Sequence, residues 1–310
     1  MGKVMVKSRS VQSVRVVEAQ YAGARLVDAD RWAFAHYRDA AYTQAGAPVE
    51  VVRPLTSESV LKAGESAALG VIGGVIAEAV AEGLCAGQAV AMVGGNCQHA
   101  TGVLGGLQDA YGADARIGLV WLDAHGDFNT PQTTITGFLG GMPVAVCAGL
   151  AWPAWREGSH IVAPLPADRL ILCDGRNLDA AEAALLHAVG VPIAAPAPGF
   201  PGHDLGQTVE ALSKHVDLLY LHVDADILDA SHMPNHTTKE SNGPNIEQVL
   251  AAIGTVMATG KVAAYAVVSV FPEGEGGDVS VAAGSRLIGE GLAAWRKYGK
   301  PAIRGGGGLC

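Results

Sequence analysis

Two apolar runs, Ile117-Gly118-Leu119-Val120-Trp121-Leu122 and Leu218-Leu219-Tyr220-Leu221-His222-Val223, each end abruptly in acid. The first runs into Asp123-Ala124-His125-Gly126-Asp127 and the second into Asp224-Ala225-Asp226. No other feature restricts the fold as much. Runs of this length without polar alternation suit strands covered on both faces, the condition of a parallel sheet between helices. Residues at i, i+2 and i+4 of an extended segment share a face. Asp123, His125 and Asp127 are therefore expected on one side, and Asp224 and Asp226 on one side likewise. Carboxylates gathered where buried strands emerge repel one another strongly unless cations stand between them. One divalent ion cannot use all of these groups, so the pattern predicts two.

The rest of the chain keeps to a β–α alternation. A helix is expected over residues 57–84 with Ser57 as its N-cap, then a strand over 89–93 running into Gly94-Gly95-Asn96-Cys97-Gln98, then a helix to Tyr111. After the first acidic motif come a polar loop (128–136), a helix (142–150), a strand (170–173) and a helix (180–189). The second acidic motif precedes a helix (246–258), a strand (263–270) and a last helix (280–298). Such alternation implies right-handed crossovers and a parallel sheet, with ligands bound beyond the carboxyl ends of its strands. The expected fold is α/β in three layers, a parallel sheet flanked by helices on both faces, with residues 1–310 as one domain. Residues 1–55 carry little pattern, and the glycine-rich residues 304–310 are expected to form a mobile tail.

Composition narrows the function. The 310 residues are 49% apolar and 16% charged, with a net charge of −9. This suits a packed core rather than disorder, and an acidic balance without any Lys/Arg run argues against a nucleic-acid surface. Mean hydropathy is positive, yet no stretch offers the roughly 18 uninterrupted apolar residues of a spanning helix. In the most apolar region, Lys62, Glu65, Glu78 and Glu82 interrupt. Residues 1–10 include basic residues but no apolar stretch follows, so no secretory leader is read. Cys85, Cys97, Cys147, Cys173 and Cys310 are odd in number and show no paired spacing, which reads as reduced thiols and a cytoplasmic protein.

Taken in order, the motifs resemble those of the ureohydrolases, the arginases and agmatinases, which hydrolyse guanidino groups at a paired manganese site. Gly94-Gly95-Asn96-Cys97 is similar to that family's Gly-Gly-Asp-His, and Asp123-Ala124-His125-Gly126-Asp127 matches its Asp-Ala-His-x-Asp. Gly175-Arg176-Asn177-Leu178-Asp179 resembles its Gly-x-Arg-Asp-x-Asp region. His222-Val223-Asp224-Ala225-Asp226-Ile227-Leu228-Asp229 resembles its Ser-x-Asp-x-Asp-x-x-Asp-Pro. The likeness spans residues 89–295. It implies an arginase-like fold, with one cation held by Cys97, Asp123, Asp127 and Asp224, and the other by His125, Asp123, Asp224 and Asp226. It also implies manganese as the metal, a small guanidino substrate or a peptide-borne arginine, water as the nucleophile, and a homo-oligomer, trimeric or hexameric.

The departures from the family pattern are equally informative. Cys97 stands in place of a His ligand, and a thiolate is less natural for manganese than for zinc, iron or cobalt. The rival reading is an inert buried thiol. Gly140 replaces the His of His-Gly-x-Pro, and Ser269 replaces the Glu that receives the guanidinium, a loss of the anion that pairs with a planar cation. Candidates for the missing roles each have a bland alternative. His99 is a substitute ligand or proton shuttle, or else a solvated or capping residue of the next helix. His222, two residues before Asp224, is catalytic or a core histidine. His232 and His236 overhang the site or are solvated, and Glu273 and Glu275 supply a substrate carboxylate or form a solvated loop. Catalytic roles are thus expected of Asp127, His222 and His99, and substrate contacts of Asn129, Thr134, Ser269 and Glu273. The expected activity is metal-dependent hydrolysis of a C–N bond in a linear amidine, on N-hydroxyarginine, peptidyl arginine or another modified guanidine. The alternatives are a hydrolase of the same fold acting on a formimidoyl or amide group, and a metal-bearing binding protein without catalysis.

Overall fold

The computed structural model describes residues 8–57, 64–302 and 310. Nine strands form one sheet: β1 (Val14–Glu18), β2 (Val49–Val52), β3 (Ala89–Val93), β4 (Ile117–Asp123), β5 (Leu170–Asp174), β6 (Ile193–Ala195), β7 (His203–Asp204), β8 (Leu218–Asp224) and β9 (Val262–Val268). Their spatial order is β7-β6-β5-β4-β8-β9-β3-β1-β2, and every neighbouring pair is parallel. Helices cover both faces: α1 (Phe34–Ala40), α2 (Glu65–Cys85), α3 (Ala100–Tyr111), α4 (Pro143–Cys147), α5 (Pro153–Gly158), α6 (Ala180–Val189), α7 (Leu205–Ser213), α8 (Ile246–Met257) and α9 (Gly277–Tyr298).

The strand period of two sorts the apolar runs between two cores. Val120, Leu122, Leu219, Leu221 and Val223 pack with residues of α1, α7, α8 and α9. Leu119, Trp121, Leu218 and Tyr220 pack with residues of α2, α3, α4 and α5 on the other face. This is why β4 and β8 read as unbroken apolar runs: each face has its own cover.

The winding of the chain places the site. From β4 it proceeds outward through β5, β6 and β7, then returns as β8 to the opposite flank of β4. Reversal of this kind opens a crevice at the carboxyl ends of the strands. The register pairs Val223 with Leu122, so Asp123 and Asp224 emerge side by side. Asp224 lies opposite Val268, and Asp123 opposite Asp174.

α2 and α3 approach closely because glycine lines their contact. A Cβ on Gly102 would stand 2.5 Å from the Gly73 carbonyl oxygen, and one on Gly106 would stand 2.6 Å from that of Ala77. By length and composition α2 could cross a membrane, but 72% of its apolar window is buried in the fold.

Several expectations are corrected. The poorly patterned N-terminal part supplies β1 and β2, two strands of the sheet. Their charges obscured them: Arg15 bonds Glu50 at 3.2 Å and Glu82 at 3.0 Å, while fully buried Glu18 receives Arg38 at 2.5 Å and Arg53 at 2.6 Å. These partners are remote in sequence, so local polarity misleads. The helix expected over 57–84 begins at Glu65, after Gly64 at φ 97°, and residues 58–63 lie outside the described residues. The helix expected over 142–150 shortens to α4. Of the tail expected over 304–310, residues 304–309 lie outside the described residues. Cys310 is joined to Cys85 by a disulfide across 225 residues, a separation no spacing rule reads. The reading of five reduced thiols is therefore wrong for that pair, whereas Cys97, Cys147 and Cys173 are free and buried.

A candidate metal centre at the carboxyl edge of the sheet

Both acidic motifs are shaped by the same turn. β4 stops at Asp123, whose Oδ1 accepts the His125 amide at 2.7 Å; β8 stops at Asp224, whose Oδ1 accepts the Asp226 amide at 2.9 Å. An aspartate that bonds its own backbone two residues on closes a turn. Asp127 follows at φ 49°. The expectation that extended alternation aligns these side chains is corrected: turns gather them. Non-glycine residues in the left-handed region recur around this edge at Asp127, Asp174 and Ser269, where such conformations concentrate at functional sites.

The gathered side chains form three overlapping groups whose ligand atoms lie within 4.8 Å of one another: Cys97, Asp123 and Asp224; Asp123, His125 and Asp226; Asp224, Asp226 and His236. Cys97 Sγ lies 2.9 Å from Asp224 Oδ2 and 3.6 Å from Asp123 Oδ2. His125 Nδ1 lies 3.3 Å from Asp123 Oδ1 and 3.2 Å from Asp226 Oδ2. Its Nε2 lies 3.1 Å from Glu240 Oε1, which also accepts from Asn177 Nδ2 at 3.0 Å. Asp127 Oδ2, Asp226 Oδ1 and His236 Nε2 are buried without a hydrogen-bond partner among the described residues.

Electrostatics tests whether cations fit. Burial, and then the neighbouring carboxylates, push Asp123 and Asp127 far above the ordinary carboxyl range. Asp224 rises to about 6 by the same causes. Burial followed by Asp224, Asp127 and Asp123 raises the Cys97 thiol well above its usual value. Burial would also raise Asp226, but the bond and charge of His125 bring it down to about 2. His125 in turn holds its proton more tightly than usual, its bonds to Asp123 and Asp226 outweighing burial. Groups forced to keep protons by one another are groups that positive charge would release. Hard carboxylate oxygens, some of them buried and partnerless, together with imidazoles and the Cys97 thiol make a donor set that fits divalent cations, the sulfur favouring zinc, iron or cobalt over manganese.

A cavity of about 250 Å³ opens onto this cluster, and Cys97, Asp123, His125, Asp127, Asp224 and Asp226 all line it. Asn129, Thr134 and Ser269 line it too. Asn129 is tied to Asp179 at 3.2 Å and to Thr133 at 2.9 Å. Ser269 donates to Asp224 Oδ2 at 2.6 Å. Gly140 lies on the wall beneath the Phe138 ring, which stands 2.2 Å from where a Cβ at 140 would be.

The catalytic expectations for His99 and His222 and the substrate contact of Glu273 fail, while the capping reading of His99 and the core reading of His222 hold. His99 is buried, with Nδ1 accepting the Asn96 amide at 2.9 Å and Nε2 bonded to the Gly23 carbonyl at 3.0 Å. Burial lowers its pKa to about 4, and with both nitrogens on backbone the ring is a brace rather than a proton shuttle. His222 lies under the cavity floor, fully buried and stacked on Trp121 at 3.6 Å, with Nε2 3.4 Å from Cys97 Sγ and Nδ1 3.0 Å from Tyr220 Oη. Burial lowers its pKa to about 3, so it is a neutral support for the sulfur and not a catalytic group. Glu273 turns outward to Arg31 at 2.6 Å, away from the cavity. His236, expected to overhang the site or be solvated, is buried within the cluster. Glu240 joins the cluster through His125 from a polar loop without periodicity, which gives no local signal of that contact.

Comparison with known proteins agrees with this architecture. The profile of the Arginase family matches residues 11–293. The arginase of Bacillus caldovelox is 28% identical over 177 residues, 54% of this chain and 56% of that protein. The N(omega)-hydroxy-L-arginine amidinohydrolase of Streptomyces lavendulae is 34% identical over 116 residues, 37% of this chain and 38% of that protein. The chain spans about half to two thirds of the length of the curated arginases it matches. Among solved structures, the arginase of Bacillus cereus superposes with a TM-score of 0.75 at 18% identity, covering 91% of this chain and 98% of that one. The formimidoylglutamase of Bacillus subtilis gives 0.67 at 14% identity, over 94% and 89%. At these identities the structural likeness establishes the fold, and the profile match over most of the sequence adds the lineage: the chain belongs to the Arginase family.

Proposed function

We propose that the protein is a metal-dependent hydrolase of a C–N bond in a linear amidine, and that its substrate is a modified guanidine rather than free arginine. The observation that carries this reading is a cavity rich in metal-type ligands on whose other wall the carboxylates among the described residues, Asp179 and Glu182, are already hydrogen-bonded to backbone amides or to Asn129. Divalent cations held by Cys97, Asp123, His125, Asp127, Asp224 and Asp226 would supply the positive charge that acidifies water and polarises the substrate.

The chain's own groups supply the rest. Asp127 Oδ2, buried and partnerless on the cavity wall, takes a proton from the attacking water and returns it to the leaving nitrogen. A C–O bond forms, the bond from the guanidino carbon to the alkyl-bearing nitrogen breaks, and the products are an amine and a urea that keeps the substituent, N-hydroxyurea for an N-hydroxyguanidine. Glu240 orients His125 through Nε2. Asn129, Thr134 and Thr136 offer neutral groups to the substrate.

The remaining acids are engaged elsewhere. Glu182 accepts the Phe128 and Asp179 amides at 2.8 and 3.3 Å, and Asp179 accepts from Asn129 while capping α6. Ser269 is committed to Asp224. With Phe138 and Phe271 on the wall, the cavity favours a reacting group less basic than a simple guanidinium. The Streptomyces relative that is named for N-hydroxy-L-arginine supports the same class.

The deciding experiment compares kcat/KM for arginine, agmatine, N-hydroxyarginine and a formimidoyl amino acid on metal-loaded protein. A missing charge-assisted contact costs roughly 2 to 5 kcal/mol, tens to thousands of fold in rate. N-hydroxyarginine is therefore expected to exceed arginine by at least tens of fold. Efficient turnover of plain arginine overturns the substrate assignment, and no turnover of any compound by fully loaded protein overturns the hydrolase.

A further inference from the structure

We propose that His236 is a ligand of one of the two cations, brought to the centre by the loop after β8. Its side chain is only 7% exposed, and Nε2 is buried with no hydrogen-bond partner among the described residues. Ligand atoms of Asp224, Asp226 and His236 lie within 4.8 Å of one another.

The opposite ring nitrogen decides the chemistry. Nδ1 stands 2.8 Å from the Thr238 carbonyl oxygen and 3.0 Å from Thr238 Oγ1. A carbonyl oxygen only accepts, so Nδ1 carries the proton and Nε2 presents a lone pair. The Thr238 amide also approaches Nδ1, at 3.3 Å, but this longer contact yields to the carbonyl. Were Nε2 protonated instead, it would be expected to donate to a neighbouring carboxylate, and it makes no such bond. A lone pair buried beside acids is costly unless something positive satisfies it. Asp226 Oδ1, equally buried and partnerless, has the same need.

The histidine is also held firmly. Its ring packs on Phe271 at 5.2 Å, and the preceding Asn235 bonds the carbonyls of Phe271 and Glu273 at 2.7 and 2.6 Å. An imidazole anchored through one nitrogen to backbone oxygen, with the other bare, is the arrangement that orients a metal ligand. The centre then combines the Cys97 sulfur with two imidazoles, His125 and His236.

This inference rests on reading the cluster as a two-cation centre and is independent of which bond is cleaved. The test uses the full chain and His236→Ala. Zinc-bound crystals of the unaltered protein should place Nε2 at about 2.0–2.1 Å from a cation. Calorimetric titration with Co²⁺ should show one of two sites weakened at least tenfold in the variant, with a shifted cobalt absorption band and the other site intact. Nε2 remote from every zinc ion, or identical titrations and spectra, overturns the assignment of His236. If the unaltered protein binds no cation, the two-cation centre itself falls. The zinc-bound crystal decides the matter even if the variant does not fold.

Discussion

The residues of the centre are held in a balance that protons and cations contest. Burial and its acidic neighbours push Asp224 up to about 6, and they raise Asp123 and Asp127 well above the ordinary carboxyl range. Cys97 and His125 keep their protons above about pH 6 as well, so a cation displaces protons on either side of it, and below it Asp224 adds another. Cation affinity is therefore expected to weaken by about tenfold or more per unit as pH falls below about 6. Binding should release more than one proton, measurable by calorimetry in buffers of different ionisation enthalpy. Affinity independent of pH between 5 and 7 would contradict this electrostatic account. Asp123 and Asp224 were legible as candidate ligands because each ends an apolar run at the edge where buried strands emerge. The outward turn of Glu273 was not legible, since it depends on Arg31, a residue from the far end of the chain.

At the scale of elements, glycine governs how closely the helices approach. A Cβ at Gly102 would meet the Gly73 carbonyl at 2.5 Å and Ile76 Cβ at 2.8 Å. Both are backbone or near-backbone atoms that cannot swing aside. Gly102→Ala is expected to destabilise the fold by about 1 to 3 kcal/mol, read from denaturant midpoints at unchanged slope. A neutral outcome would mean that α2 and α3 have room to part. The strands β3, β4, β5, β8 and β9 follow the sequence pattern closely because both faces are covered and largely apolar, and α8 because its buried stripe is apolar throughout. β1 and β2 escaped notice because Arg15, Glu18 and Glu50 break the apolar pattern, and their partners lie on other elements.

For the whole molecule, the cluster should make cations part of the stability of the fold. Two cations per chain are expected at saturation, since the ligand groups overlap at Asp123, Asp224 and Asp226. A ligand that binds only the folded state stabilises it by about 2.7 kcal/mol at a hundred times its Kd. Metal loading should therefore raise Tm, and Asp224→Ala should abolish most of that rise. Elemental analysis that saturates at one cation per chain, or a Tm indifferent to loading, would refute the dinuclear reading. What the sequence by itself determined is the fold class, the strand ends that carry the acids, and the departures at Cys97, Gly140 and Ser269, because each is written in short-range pattern or residue type. Only the tertiary structure decided that β4 and β8 stand side by side, that turns rather than extended strands gather the candidate ligands, and that His99 and His222 face inward. It also decided that His236 and Glu240 enter the site and that Cys85 meets Cys310. Local pattern reports how a segment bonds to itself; the partners of a buried polar group are chosen by the topology that brings distant segments together.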